Sequence, residues 1–190
     1  HTAPIASIAV AADGAWIASA SWDRTVRLWH IATGEKIILE GHGDNVNAVA
    51  FSADGASVIS AGYDATVRLW PRAGGTPKII RTPSPVNALA LARDGAVITA
   101  HADGQLRMFQ SDGVLVHTIE VAPAPLISLA LSPDGKTIAA AGLRGAVVLI
   151  NRDDPEPKKM LVGPALPVWA LAFTPDGRTI LAAGSDRLVR

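Results

Sequence analysis

Apolar positions in this chain come in short alternating runs, and turn residues end each run. The clearest stretch is Gly41 to Trp70, GHGDNVNAVAFSADGASVISAGYDATVRLW. Val46 to Phe51 alternates and stops at a Ser-Ala-Asp-Gly turn. Ser57 to Gly62 makes a second run before Asp64, and Thr66 to Trp70 a third that closes on an aromatic. A period of two marks strands, and tight turns between short strands predict an antiparallel meander.

The same unit recurs. Asp13-Gly14, Asp54-Gly55, Asp94-Gly95, Asp134-Gly135 and Asp176-Gly177 are spaced by 41, 40, 40 and 42 residues. The runs before these turns align as ASIAVAADG, VNAVAFSADG, VNALALARDG, ISLALSPDG and VWALAFTPDG. The runs after them align as WIASASWD, SVISAGYD, AVITAHAD, TIAAAGLR and TILAAGSD, and then TVRLW, TVRLW, QLRMF, AVVLI and LVR. A repeat of ~40–45 residues with this turn chemistry fits the blade of a β-propeller.

On these residues the chain resembles the WD-repeat (WD40) proteins. The resemblance implies an all-β propeller of four full four-stranded blades and a partial fifth, an incomplete ring. Blades then run over 1–41, 42–81, 82–121, 122–162 and 163–190 of a single segment. A fourth, outer strand follows each aromatic position, at Glu35–Glu40, Lys78–Arg81, Val114–Val121 and Pro157–Val162, and the ATGE turn at Ala32–Glu35 suits the family. The family's blades are pinned by a hydrogen-bonded tetrad of His, Ser or Thr, Asp and Trp. It maps to His1, Ser19, Asp23 and Trp29 in blade one and to His42, Ser60, Asp64 and Trp70 in blade two. Blade three keeps Thr99 and Asp103 but has Thr82 and Phe109 at the His and Trp positions. Blade four has Ala122, Ala140, Arg144 and Ile150; blade five has Pro164, Ala182 and Asp186. A half-satisfied buried network is worse than an apolar one, so the later blades are expected to rely on aliphatic packing. Proline pairs in their loops (Pro83 and Pro85, Pro123 and Pro125, Pro164 and Pro167) predict stiff, unpaired connections. Asp153 to Lys159 reads as an exposed loop.

Composition narrows the picture without changing it. The 190 residues are 49% hydrophobic and 18% charged, with mean hydropathy +0.28, which excludes a disordered chain. Turns interrupt every apolar run well short of the ~18 residues a membrane helix needs, so no membrane insertion is expected. The formal net charge of zero leaves no electrostatic footprint for nucleic acid. With no cysteine, disulfides, thiolate metal sites and thiol catalysis are excluded within these residues. The compartment, cytoplasmic or periplasmic, stays open. A chain that opens on His1 and stops inside a third strand is expected to be part of a longer ring, or an arc completed by another chain. Seven blades would need on the order of 290 residues. The alanine-rich composition and the Pro-Asp-Gly turns suggest a bacterial member.

Candidate chemistry is sparse. No phosphate loop, dinucleotide fingerprint, zinc helix or nucleophile elbow is present. The five histidines are scattered, so neither a metal nor a cofactor is expected. His1 and His42 belong to the tetrads, His30 to a strand end, and His117 to a solvated outer strand. His101, beside the blade-three turn, is expected on the rim that binds partners in this family. The Asp-Gly turns lack the acidic neighbours a calcium loop needs and read as hairpins. Arg27, Arg68, Arg107 and Arg190 recur in register and read as flank arginines that pair with an acid.

Large side chains at loop positions point to contact with a partner. Trp22 and Tyr63 precede the turn aspartates, Leu143 takes the same place in blade four, and Trp169 enters an innermost strand where Asn47 and Asn87 stand in other blades. In the family these positions line the top rim. Together with Asn45 they are the candidate partner-binding residues, with packing against neighbouring loops as the competing role. Trp16 reads as packing. The expected function is a non-catalytic scaffold that binds a protein or peptide, with no catalytic residue. The alternative is the propeller of a periplasmic electron-transfer protein linked to a c-type cytochrome, for which no haem motif lies within these residues. A propeller hydrolase would need convergent acids, histidines or a metal that the inner strands do not offer.

Overall fold

The computed structural model describes residues 1–156, 158–161, 163 and 165–190. These residues form antiparallel strands and turns, with no helix among them. The chain divides into two compact units, His1–Gly95 and Ala96–Arg190.

In the first unit, β1 (Ile5–Val10), β2 (Trp16–Ser21), β3 (Val26–His30) and β4 (Lys36–Leu39) make a four-stranded sheet in chain order. β5 (Val46–Phe51), β6 (Ser57–Gly62), β7 (Thr66–Pro71) and β8 (Lys78–Arg81) make a second, and β9 (Val86–Leu91) follows. In the second unit, β10 (Val97–His101), β11 (Gln105–Phe109) and β12 (Leu115–Glu120) pair in order. β13 (Leu126–Leu131), β14 (Thr137–Gly142), β15 (Val147–Asn151) and β16 (Lys159–Leu161) form another four-stranded sheet. β17 (Val168–Phe173) pairs with β18 (Ile180–Gly184), and Val189 adds a single antiparallel bridge to Ala183.

The outer strands are slightly shorter than the sequence pattern suggests, Lys36–Leu39 and Leu115–Glu120, while Lys78–Arg81 matches. Of the expected strand from Pro157 to Val162, both end residues lie outside the described residues, as does Pro164.

Turn chemistry explains why the runs stop where they do. The Asp54 carboxylate accepts the N–H of Ala56 at 2.9 Å, and Asp134 and Asp176 accept those of Lys136 and Arg178, each at 3.0 Å. The Ser52 hydroxyl adds a bond to Asp54 at 2.6 Å. The next residue must turn into left-handed backbone, and Gly14, Gly55, Gly95, Gly135 and Gly177 lie at φ between 66° and 84°.

Successive sheets bury one face each. In the first unit Ala18, Ala20, Val26 and Leu28 of β2 and β3 pack with Val46, Val49, Val58 and Trp70. In the second, Ala139, Ala141 and Val147 pack with Val168, flanked by Leu149, Leu171 and Phe173. The alanines, 0–1% exposed, let these backbones approach closely. Each fully buried Val or Leu contributes roughly 1.5–3 kcal/mol. Ile5, Ile8 and Val10 on β1 are left exposed, as are Trp169 and Leu181 on β17 and β18.

One feature of the ladder matters for the site. The pairing of the first two strands slips by a residue at Ile5/Ser7, Val46/Ala48, Leu126/Ser128 and Val168/Ala170. Ala6, Asn47, Ile127 and Trp169 are therefore bulge residues. A bulge frees one residue from the ladder and re-aims its side chain.

Candidate functional site

The side chains of the second sheet meet at one point. His42 comes from the loop before β5, Ser60 from β6, Asp64 from the turn after it and Trp70 from β7. His42 Nδ1 lies 2.9 Å from Asp64 Oδ2, and His42 Nε2 lies 2.7 Å from Ser60 Oγ. Trp70 Nε1–H donates to Ser60 Oγ at 2.8 Å. Indole only donates and carboxylate only accepts. For a neutral imidazole the chain therefore runs from Trp70 N–H to Ser60, from the Ser60 hydroxyl to His42 Nε2, and from His42 Nδ1–H to Asp64. The Thr66 hydroxyl and the Gly43 N–H complete the carboxylate at 2.8 and 2.9 Å.

The first sheet repeats this geometry. His1 bridges Asp23 and Ser19 at 2.8 Å each, and Trp29 Nε1–H donates to Ser19 Oγ at 3.0 Å. Burial alone would raise the carboxyl pKa of Asp64. Hydrogen bonds from His42, Gly43 and Thr66 hold it well below the usual carboxylate range. Asp23 is lowered as well: burial opposes, and the Thr25 hydroxyl, the N–H groups of Thr2 and Thr25, and Ser21 prevail.

The third repeat corrects the expectation that His101 sits on an exposed rim. His101 is fully buried, and its Nε2 lies 2.7 Å from Thr99 Oγ1. Strand alternation accounts for this, because Thr99 and His101 are two residues apart on β10 and share a face. Thr82, at the position of the missing loop histidine, donates instead to the carbonyls of Ala65 and Ser84. Asp103 is taken up by Arg107, whose two terminal nitrogens reach its two oxygens at 3.3 and 2.6 Å. Its pKa is lowered: burial opposes, and the bond from Arg107, the Gln105 N–H and the nearby positive charges prevail.

The recurring arginines fall on the turn aspartates four residues earlier. Arg27 reaches Asp23 at 3.5 Å and Arg68 reaches Asp64 at 3.8 Å, and Arg190 pairs with Asp186. His30 accepts the Thr33 N–H and lies 2.9 Å from the Thr33 hydroxyl, so it closes the turn after β3. Trp16 packs edge-on to His30, with the Arg72 guanidinium 5.8 Å from its ring centre. No cluster of three His, Asp or Glu suited to a metal occurs among the described residues.

The residues singled out for partner contact are held by a shared backbone device. Trp22 N–H donates to Pro4 O at 3.0 Å, Tyr63 to Asn45 O at 2.8 Å, and Leu143 to Pro125 O at 3.2 Å. The backbone is thus fixed while the side chains stay open: Trp22 is 48% exposed, Tyr63 49%, Leu143 43% and Trp169 55%. Trp169 Nε1–H donates to Ser185 Oγ at 2.8 Å. Asn45 and Asn47 are half-buried, and Asn47 donates to the Val86 carbonyl at 2.9 Å. Asn87 is half-buried as well.

The family model for the WD domain, G-beta repeat, matches residues 1–30, 35–71 and 155–190, together more than half of the chain. The chain belongs to the WD40 family. The matched segments include both repeats in which the His–Ser–Asp–Trp contacts are made. Among curated relatives, it is 51% identical over 35 residues to the small ribosomal subunit protein RACK1 of Candida albicans and, equally, to that of Saccharomyces cerevisiae. Each match covers 18% of this chain and 11% of the relative, so the chain spans a small part of either protein's length. Both relatives are from yeasts, and nothing in them supports a bacterial origin.

Two features of these WD40 blades escaped the sequence reading. The inward His101 carried a signal, its spacing of two from Thr99. The bulges under Asn47 and Trp169 left none, since a bulge is a property of two paired strands.

Proposed function

We propose that this WD40 chain is a non-catalytic scaffold that binds protein partners through the side chains at the turns after its second strands and at its inner-strand bulges. One observation carries the reading: Trp22, Tyr63 and Leu143 are large, half-exposed and mounted on hydrogen-bonded backbone, and Trp169, equally open, is held through its indole N–H. A preorganised aromatic loses little conformational freedom on docking, which is what a binding hot spot requires. The family supports a scaffold, and the yeast relatives are named as components of a larger assembly. No observation favours the electron-transfer alternative.

The test is partner capture by the chain and by Trp22→Ala with Tyr63→Ala. Loss of capture at unchanged melting temperature supports contact. Retained capture, or unfolding of the variant, moves both residues into a packing role.

A further inference from the structure

Blade four differs from the others in a way that creates space. In blades one and two an imidazole, a hydroxyl and a carboxylate fill the gap between the incoming loop, the second strand and the turn. In blade three Thr99 and His101 fill the second-strand share of it. In blade four, Ala122, Ala140 and Arg144 occupy three of the four tetrad positions, and with Gly142, Val148 and Met160 they line an open cavity of about 230 Å³. An apolar cavity of ~150 Å³ takes a benzene ring, so a leucine or phenylalanine side chain has room here.

The walls are not free to collapse. A Cβ on Gly142 would lie 2.0 Å from the Pro125 carbonyl oxygen, so that strand already abuts the loop. The Leu143 N–H is bonded to the same oxygen at 3.2 Å, and Pro123 and Pro125 fix the loop backbone. Leu143 and Met160, 43% and 68% exposed, extend the apolar surface past the cavity mouth.

The charge is reversed as well. Asp23, Asp64, Asp103 and Asp186 stand at the turn in the other repeats, and Arg144 stands there in this one. Arg144 is exposed and makes no ion pair among the described residues. An apolar hole beside an unneutralised cation selects an apolar side chain next to a carboxylate.

We propose that blade four holds a docking pocket for a short acidic peptide segment, which inserts one leucine or phenylalanine side chain between Ala122, Ala140 and Met160 and pairs its carboxylate with Arg144. The proposal rests on the interaction reading above for the class of partner, but Trp22 and Tyr63 take no part in it.

The probe is a set of fluorescent heptapeptides on a Gly-Ser background. Each has a central leucine, phenylalanine or alanine flanked by glutamate or lysine, and is titrated into the full chain. Saturable binding of the leucine or phenylalanine peptides is expected, at least about tenfold weaker with lysine flanks or central alanine. Ala122→Phe, which fills the cavity from the half-buried loop, abolishes it. Arg144→Glu, on the exposed turn, inverts the flank preference and keeps the test decisive if Ala122→Phe misfolds. Absence of binding, binding unchanged by Ala122→Phe, or indifference to the flanking charge overturns the proposal. So does occupation of the pocket by a second copy of the chain, seen as self-association that Ala122→Phe removes. Trp22→Ala with Tyr63→Ala leaves peptide binding intact, so failure of the rim and failure of the pocket are told apart.

Discussion

Ser60→Ala tests whether the buried network of blade two acts as a unit. The Ser60 hydroxyl is fully buried and serves two bonds, accepting from Trp70 Nε1–H at 2.8 Å and donating to His42 Nε2 at 2.7 Å. Its removal strands one donor and one acceptor. Each buried orphan costs about 1–3 kcal/mol, so Ser60→Ala is expected to lose roughly 2–6 kcal/mol. Against a total stability of ~5–15 kcal/mol that is a large fraction. Trp70→Phe deletes the donor while keeping the ring, a shape blade three already carries as Phe109. In the double variant the indole orphan no longer exists. The double should therefore cost less than the sum of the singles, by at least about 1 kcal/mol. Urea unfolding followed by far-UV circular dichroism on the four proteins of the cycle gives the coupling. A loss below about 0.5 kcal/mol for Ser60→Ala, or additivity within ~0.3–0.5 kcal/mol, refutes the cooperative network.

The remaining predictions concern acid, space and access. The folded-state pKa of Asp64 is depressed, so its stabilisation is present above the unfolded value of roughly 4 and is lost as pH falls below it; Asp64→Asn flattens that acid limb in melting curves between pH 5 and 2. Gly142→Ala, whose Cβ meets the Pro125 oxygen at 2.0 Å, should cost more than Gly34→Ala, where nothing lies within 4 Å and only the left-handed backbone is penalised by ~1–2 kcal/mol; equal losses in urea melts would deny the close approach. His101 and His42, 0% and 6% exposed, should resist diethyl pyrocarbonate while half-buried His30 and His117 react; equal rates for His101 and His30 would return His101 to the surface.

Much of this molecule is decided locally. Alternation of period two, an Asp-Gly pair about every 40 residues and an aromatic at the end of the first three third runs fix the strands, their order and the repeat, because hairpin pairing depends on residues a few positions apart. The contact sets of blades one and two were legible for the same reason: each tetrad residue holds a set distance from its turn aspartate. What the pattern could not decide is how empty space is used. His101, turned inward by alternation along β10, fills the room beside Thr99 in a blade that has Thr82 where the first two have a loop histidine. Trp169 and Asn47 gain their orientation from a slip between two strands. The cavity of blade four exists because Ala122, Ala140 and Gly142 leave a volume that the proline-stiffened loop does not close. Volume left over after packing belongs to several segments at once, so no single stretch of sequence records it.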